Sequence, residues 1–235
     1  MSASRVAILL QARTDSTRLP RKALAPIAGR TVLGWCLDRL CAAAADTVVL
    51  ATTDRAVDDA LVREAEERGV LTFRGPTDDV LRRMRLAADQ AGADIVVRAT
   101  ADNPAVDVEA PGRLVHWLTS RGAEYVAERG LPYGAAVEAM TIGALRRADE
   151  IATMPSDREH VTPMMRRDAE RFESLEVEAP RALRRPDLRL TVDTEEDLLR
   201  MRRVLGACVG ASGVPSLEAI IEAADRLVGQ VRTVA

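Results

Sequence analysis

The chain has 235 residues, of which 47% are hydrophobic and 29% charged, the balance of an ordinary globular protein long enough for a substantial core. A formal net charge of −3 offers no bulk attraction for nucleic acid or an acidic membrane surface, and 3% aromatic residues leave too few rings for a single-strand stacking platform. No apolar run approaches the ~20 residues of a membrane span, and Met1–Arg5 runs straight into a strand, so neither a membrane anchor nor a signal peptide is expected.

Val6–Leu10 is a short continuous apolar run, which predicts a strand buried on both faces. It leads into the cationic stretch Gln11–Lys22, Q-A-R-T-D-S-T-R-L-P-R-K. Thr31 can cap a helix whose apolar positions are Val32, Leu33, Cys36, Leu37 and Leu40. A second strand is predicted over Thr47–Ala51, ending in Thr52-Thr53-Asp54, then a helix through Val57, Ala60, Leu61 and Ala65, stopped by Gly69. A third strand follows over Val70–Phe73, then a helix through Val80, Leu81, Met84, Ala87 and Ala88, closed by Gly92. Asp94–Ala99 is a fourth strand, running into Thr100-Ala101-Asp102-Asn103-Pro104. The helix expected over 107–120 tolerates Pro111 only in its first turn. This alternation argues an α/β fold with a parallel sheet.

The second half is less regular. Glu124–Ala127 is expected as a strand, Leu131–Gly134 as a turn, and Thr141–Ile151 and Asp157–Arg167 as helices. Glu173–Val177 and Leu188–Val192 are expected strands completing a mixed sheet. Two closing helices run through Leu198, Leu199, Met201, Leu205 and Cys208, then Leu217, Ile220, Ile221, Ala224 and Leu227. With no repeat or linker, the reading is one domain over 1–235. Cys36, Cys41 and Cys208 lack metal-ligand spacing, so free thiols in a reducing cytoplasmic setting are expected.

Chemistry concentrates at three positions. The loop brings Arg13, Arg18 and Lys22 with the hydroxyls of Ser16 and Thr17 to the carboxyl end of the first strand, where open α/β sheets bind ligands. Converging cations with free backbone N–H groups suit a polyphosphate; a solvated basic loop is the competing assignment. Neither G-x-x-x-x-G-K-[ST] nor G-x-G-x-x-G occurs, against a P-loop or a dinucleotide site. Asp102 leaves the fourth strand at the same sheet edge and could hold a hard cation such as Mg2+ or close an Asx turn. Asp193 precedes Thr194 and Asp197, which can cap the next helix themselves and leave Asp193 free to face the cleft. His116 reads as a packed or surface helix residue, whereas His160 stands among charges in R-E-H-V-T-P with a functional and a structural role both open. No arrangement of nucleophile, base and orienting group is recognisable.

Together these segments resemble the cytidylyltransferases of the spore-coat polysaccharide type, relatives of the CMP-Kdo and CMP-sialic acid synthetases. The resemblance is carried by Q-A-R-T-D-S-T-R-L-P-R-K at 11–22, A-T-T-D at 51–54, F-R-G at 73–75, D-D-V-L at 78–81, T-A-D-N-P at 100–104, R-E-H-V-T-P at 158–163 and R-R-P-D-L-R-L-T-V-D-T-E-E-D-L at 184–198. It implies a nucleotide-diphosphosugar transferase fold, Rossmann-like and of GT-A type, with a mixed, mainly parallel sheet, in which 1–121 is the nucleotide-binding half and 122–235 the acceptor-binding half with the closing helices. It further implies a homodimer that uses CTP, Mg2+ and a small-molecule acceptor. Residue by residue, Arg13, Arg18 and Lys22 match the triphosphate loop, Gln11 and Ala12 its nucleotide-facing start, and Asp102 and Asp193 the two metal-binding aspartates. Thr53 and Asp54 fall where relatives shape the base and ribose pocket. Glu138, Arg158, Glu159 and His160 are the acceptor candidates.

Two departures stand out. Relatives often show T-G-D-C-P where this chain has T-A-D-N-P, and many carry an acidic D-V-E-V-F-like segment where it reads Gly134-Ala135-Ala136-Val137-Glu138-Ala139-Met140. The expected reaction is in-line attack of an acceptor oxygen on the α-phosphorus of CTP, with Arg13 and Lys22 among the catalytic residues and pyrophosphate leaving. A glycosyltransferase of the same fold lacks its D-x-D motif here, and a non-catalytic nucleotide-binding protein would leave both aspartates unexplained.

Overall fold

The computed structural model describes residues 4–209 and 213–233; Met1–Ala3, the start of the segment read above as leading into the first strand, lie outside them. The first strand, β1 (Val6–Gln11), has Ala7, Ile8, Leu9 and Leu10 fully buried, as its unbroken apolar run requires. A small antiparallel pair, β2 (Pro26–Ile27) and β3 (Arg30–Thr31), precedes α1 (Val32–Cys41). Thr31 caps α1 by accepting from the Gly34 N–H. Then come β4 (Thr47–Thr53), α2 (Asp59–Glu66), β5 (Leu71–Gly75), α3 (Val80–Ala91), β6 (Ile95–Thr100) and α4 (Ala110–Arg121), with Pro111 in the first turn of α4 as expected.

The second half adds β7 (Tyr125–Arg129), β8 (Glu138–Thr141), α5 (Ile142–Ile151), α6 (Pro155–His160), α7 (Pro163–Arg167), β9 (Ser174–Glu178), α8 (Glu195–Gly206) and α9 (Leu217–Thr233). The seven-stranded sheet has the order β5-β4-β1-β6-β8-β7-β9. Its pairings are parallel except those of β8 with β6 and with β7, so one reversed strand makes the sheet mixed. The chain winds outward from β1 through β4 to β5, then crosses back to lay β6 against the other side of β1, with Gln11 opposite Thr100. The crevice opens at that reversal, beyond the carboxyl ends of β1 and β6.

Alternation along β1 feeds two cores. Ile8 and Leu10 pack with Leu33, Leu37, Leu114 and Val126, and Ala7 and Leu9 with Leu81, Met84, Met140 and Leu145. A third core packs α8 and α9 onto Ile27, Trp35, Leu131, Leu190 and Val192.

The structure corrects several expected elements. Leu188–Val192 is extended but not a sheet strand; its one bridge joins Arg189 to Tyr133, with Leu190 N donating to Tyr133 O at 2.8 Å. Its apolar side chains face the third core, which mimics a strand pattern. The expected single helix over Asp157–Arg167 is two short ones, because Val161 turns to φ 71° and Pro163 restarts the helix in a new direction. Strand β8 and the β2–β3 pair are additional.

Candidate functional site

The loop after β1 is held from beneath. Asp58, 1% exposed, accepts from Thr14 N at 2.8 Å, from Thr14 Oγ1 at 2.6 Å, and from the Thr53 hydroxyl. Arg21, at φ 57°, returns its N–H to Thr14 O at 2.9 Å and swings the chain so that Lys22 turns into the crevice. There Lys22 Nζ lies 3.1 Å from Asp102 Oδ2 and 2.8 Å from Asp193 Oδ1. Arg18 Nη2 stands 3.1 Å from the same Asp193 oxygen.

The two aspartates are fixed by different elements. Asp102 leaves β6 with Oδ1 accepting from Thr100 Oγ1 at 2.6 Å, and among the described residues no backbone N–H donates to its carboxylate, so it closes no Asx turn. Asp193 stands just ahead of α8, where Thr194 and Asp197 form a complete capping box without it. Asp197 accepts from Asp193 N at 3.1 Å and from Arg189 Nε at 2.8 Å, while Arg189 Nη2 reaches Asp193 Oδ2 at 3.0 Å. A backbone clasp joins the two segments, with Val192 N donating to Asp102 O at 2.8 Å. Burial acts to raise the Asp193 carboxyl, but the hydrogen bond and charge of Lys22, then Arg18 and Arg189, outweigh it and hold the group below the usual carboxylate range.

Arg18, Lys22, Asp102 and Asp193 line a cavity of about 490 Å³, and a second of about 410 Å³ adjoins it, with Arg98, Thr100, Asp102 and Tyr133 common to both. A wider hollow of about 560 Å³ beside Trp117 and β9 contains none of the residues singled out from the sequence. The wall of the second cavity carries Glu138, which accepts from Arg98 Nη1 at 2.6 Å, Tyr125 OH at 2.6 Å, Thr162 Oγ1 at 2.9 Å, and Arg166.

Gln11, Ala12, Arg13, Ser16, Arg18, Lys22, Asp102 and Asp193 all line the first cavity. Glu159 and His160, expected on the acceptor side, line that same cavity, with Glu159 3.7 Å from Arg13. Three expected residues line neither cavity. Thr53 is fully buried with its hydroxyl committed to Asp58, and Asp54 is exposed beyond the end of β4. Arg158 is turned into the helix packing, bonded to Asp149, Asp79 and Ala152 O. Conversely, Arg83, Arg98 and Tyr133 line the site without having been identified. A charge inside an otherwise apolar strand was the available signal for Arg98. A charge on the apolar stripe of a helix was the signal for Arg83.

Two carboxylates that already converge on one cation fit a divalent ion that takes oxygen ligands and completes its shell with substrate phosphate and water. No cluster of three or more acidic, histidine or cysteine side chains suited to a metal occurs among the described residues, so the protein alone offers a partial shell.

A family model described as cytidylyltransferase matches residues 7–228. The spore coat polysaccharide biosynthesis protein SpsF of Bacillus subtilis is 31% identical over 198 residues, covering 82% of each chain. A solved cytidylyltransferase from Leptospira borgpetersenii superposes with a TM-score of 0.87 at 31% identity, covering 97% of this chain and 96% of that one. CMP:2-keto-3-deoxy-manno-octonic acid synthetase complexed with CTP shares the fold with a TM-score of 0.67 at 18% identity, over 88% of this chain and all of the other.

Proposed function

The chain belongs to the cytidylyltransferase family, and from that premise we propose that it moves CMP from CTP to an acidic sugar or related small molecule, releasing pyrophosphate. The observation that carries this reading is the meeting of Asp102, Asp193 and Lys22 within 3.1 Å beside the arginine-bearing loop.

CTP would lie in the first cavity with its phosphates toward Arg13, Arg18 and Lys22, and the acceptor in the second, so that Asp102 stands where the two reactants meet. Mg2+, held by Asp102 and Asp193, would supply charge neutralisation at the phosphate oxygens. Lys22, turned inward by the Arg21 backbone, places an ammonium where negative charge grows as pyrophosphate departs; single donors of this kind are worth ~3 kcal/mol. Arg18, with its side chain 64% exposed, can follow the leaving group outward. Arg189, with Lys22 and Arg18, keeps the Asp193 carboxylate ionised, while Asp197 holds the Asp193 backbone N–H in place. The reading includes the homodimer, single-domain organisation and cytoplasmic setting expected of the family, with a role in polysaccharide biosynthesis; light scattering of the purified chain tests the dimer.

Pyrophosphate release from each of the four nucleoside triphosphates, against acidic sugars, phosphosugars and polyol phosphates with Mg2+, is the direct assay. Turnover is expected with CTP, and Asp102→Asn or Asp193→Asn is expected to lower it at least 1000-fold while the fold persists, about 4 kcal/mol of lost transition-state stabilisation. Near-normal release by both variants would refute the assignment of the aspartates.

A further inference from the structure

The arginine and lysine side chains lining the first cavity are not alike. Arg13 is paired with Asp15 and Glu159, Arg18 and Lys22 with Asp193, and Arg98 with Glu138. Arg83 lines the same cavity and has no acidic partner among the described residues. It is also the most buried of the set, 1% exposed on α3. Its Nη1 reaches the carbonyls of Pro76 at 2.5 Å and Thr77 at 3.4 Å, and its buried Nε has no hydrogen-bond partner.

Burying a charge without a counter-charge is costly, so the free protein holds Arg83 against its own stability. Desolvation, then the nearby charge of Arg13, pulls its pKa below the ordinary guanidinium value; Asp58, Asp15 and Asp79 only partly offset this. Arg39 is an internal comparison. It too is fully buried with an unpartnered nitrogen, but carbonyls of Val106 and Pro215 hold it in the packing and it lines neither cavity. Its burial is structural. That of Arg83 is at the wall of a cleft into which an anion is expected to come.

We propose that Arg83 is a nucleotide-binding residue whose missing counter-charge is supplied by the phosphate chain of the substrate. This rests on the reading of the first cavity as the nucleotide site. The phosphates are the part of a nucleoside triphosphate that is anionic at neutral pH. A guanidinium shielded from water meets that anion in a lower dielectric than the exposed arginines of the loop do, so its charge counts for more.

The test is Arg83→Met, with Arg83→Lys as the charge-retaining variant, read by thermal unfolding and by KM. Arg83→Met is expected to leave the free protein as stable as wild type or more so, because it removes an uncompensated charge. It is also expected to raise KM for CTP by about 10- to 100-fold and to shrink the unfolding shift given by inorganic tripolyphosphate. Arg83→Lys should recover part of both. A variant that is destabilised while its KM and tripolyphosphate response stay normal would assign Arg83 to packing and overturn the proposal. Weakened CTP binding with an unchanged tripolyphosphate response would overturn the phosphate assignment. If CTP and Mg2+ fail to stabilise wild type, the nucleotide reading of the cavity falls as well, whereas a wild-type response retained in Arg83→Met removes this inference alone.

Discussion

Glu138 carries donors from Arg98, Arg166, Tyr125 and Thr162 on one carboxylate, 7% exposed. Burial pushes the group up, but the charges of Arg98 and Arg166 and the Tyr125 hydrogen bond prevail and bring it from 4.5 down to about 2. A carboxyl whose folded pKa is depressed contributes stability fully above its unfolded value and loses it as pH falls through the folded one. The contribution is therefore complete above pH ~4.5, fades toward pH ~2, and amounts to about 3 kcal/mol. Urea midpoints of wild type should fall across that window, and those of Glu138→Gln should start lower at pH 7 and change less. Equal slopes would show that the network does not hold the charge. At this scale the sequence led to cavity-lining residues that follow a strand or precede a helix: Asp102 and the loop cations after β6 and β1, and Asp193 before α8. It concealed Arg83 and Arg98, because a charge on a buried helix stripe or inside an apolar strand acquires its purpose from the cavity behind it, and a cavity has no local sequence signature.

Among elements, the decisive contact is between the turn at Leu131–Gly134 and the extended segment 188–192. Gly134 has φ 96°, and a Cβ there would meet Thr191 N at 2.6 Å. Both the conformation and the approach of Thr191 exclude a side chain. Gly134→Ala should therefore destabilise the fold by about 1–3 kcal/mol and lower turnover beyond what the lost stability explains, since Thr191 and Val192 carry the clasp onto Asp102 O. Denaturation and pyrophosphate release measured on the same preparation check this; unchanged activity in a folded variant would show that the seam does not position Asp193. The same seam explains why Leu188–Val192 reads as a strand and is not one. The alternating apolar side chains of Leu188, Leu190 and Val192 meet the third core, and such a pattern says nothing about whether hydrogen bonds go to a sheet or to a turn. The six strands with apolar runs or clear flanking turns were legible. Strand β8 was hidden because Glu138, its first residue, reads as a polar loop position until the arginines around it are placed.

For the whole molecule, the net charge of −3 accompanies a crevice lined by five cations, Arg13, Arg18, Lys22, Arg83 and Arg98, beside four carboxylates, Asp15, Asp102, Glu159 and Asp193. An anionic ligand that binds the folded form alone stabilises it by mass action. CTP with Mg2+ at about 100 times its Kd should add ~2.7 kcal/mol, which for a chain of this size raises Tm by about 5–10 °C. Chelation with EDTA should reduce that shift, and a shift of the same size without divalent ion would argue against the paired aspartates as its holders. No helix among the described residues is long and apolar enough to cross a membrane.

On the proposed function, the clasp between Val192 N and Asp102 O would set when the molecule becomes competent, as well as where its acids lie. A ribosome making this chain finishes the basic loop and the first carboxylate long before it reaches the second. The growing polypeptide can thus fold most of its parallel strands while the cleft is still missing one wall. Gripping a nucleotide and its ion would then be reserved for a molecule whose residues 188–193 have already reached Asp102 and fastened there.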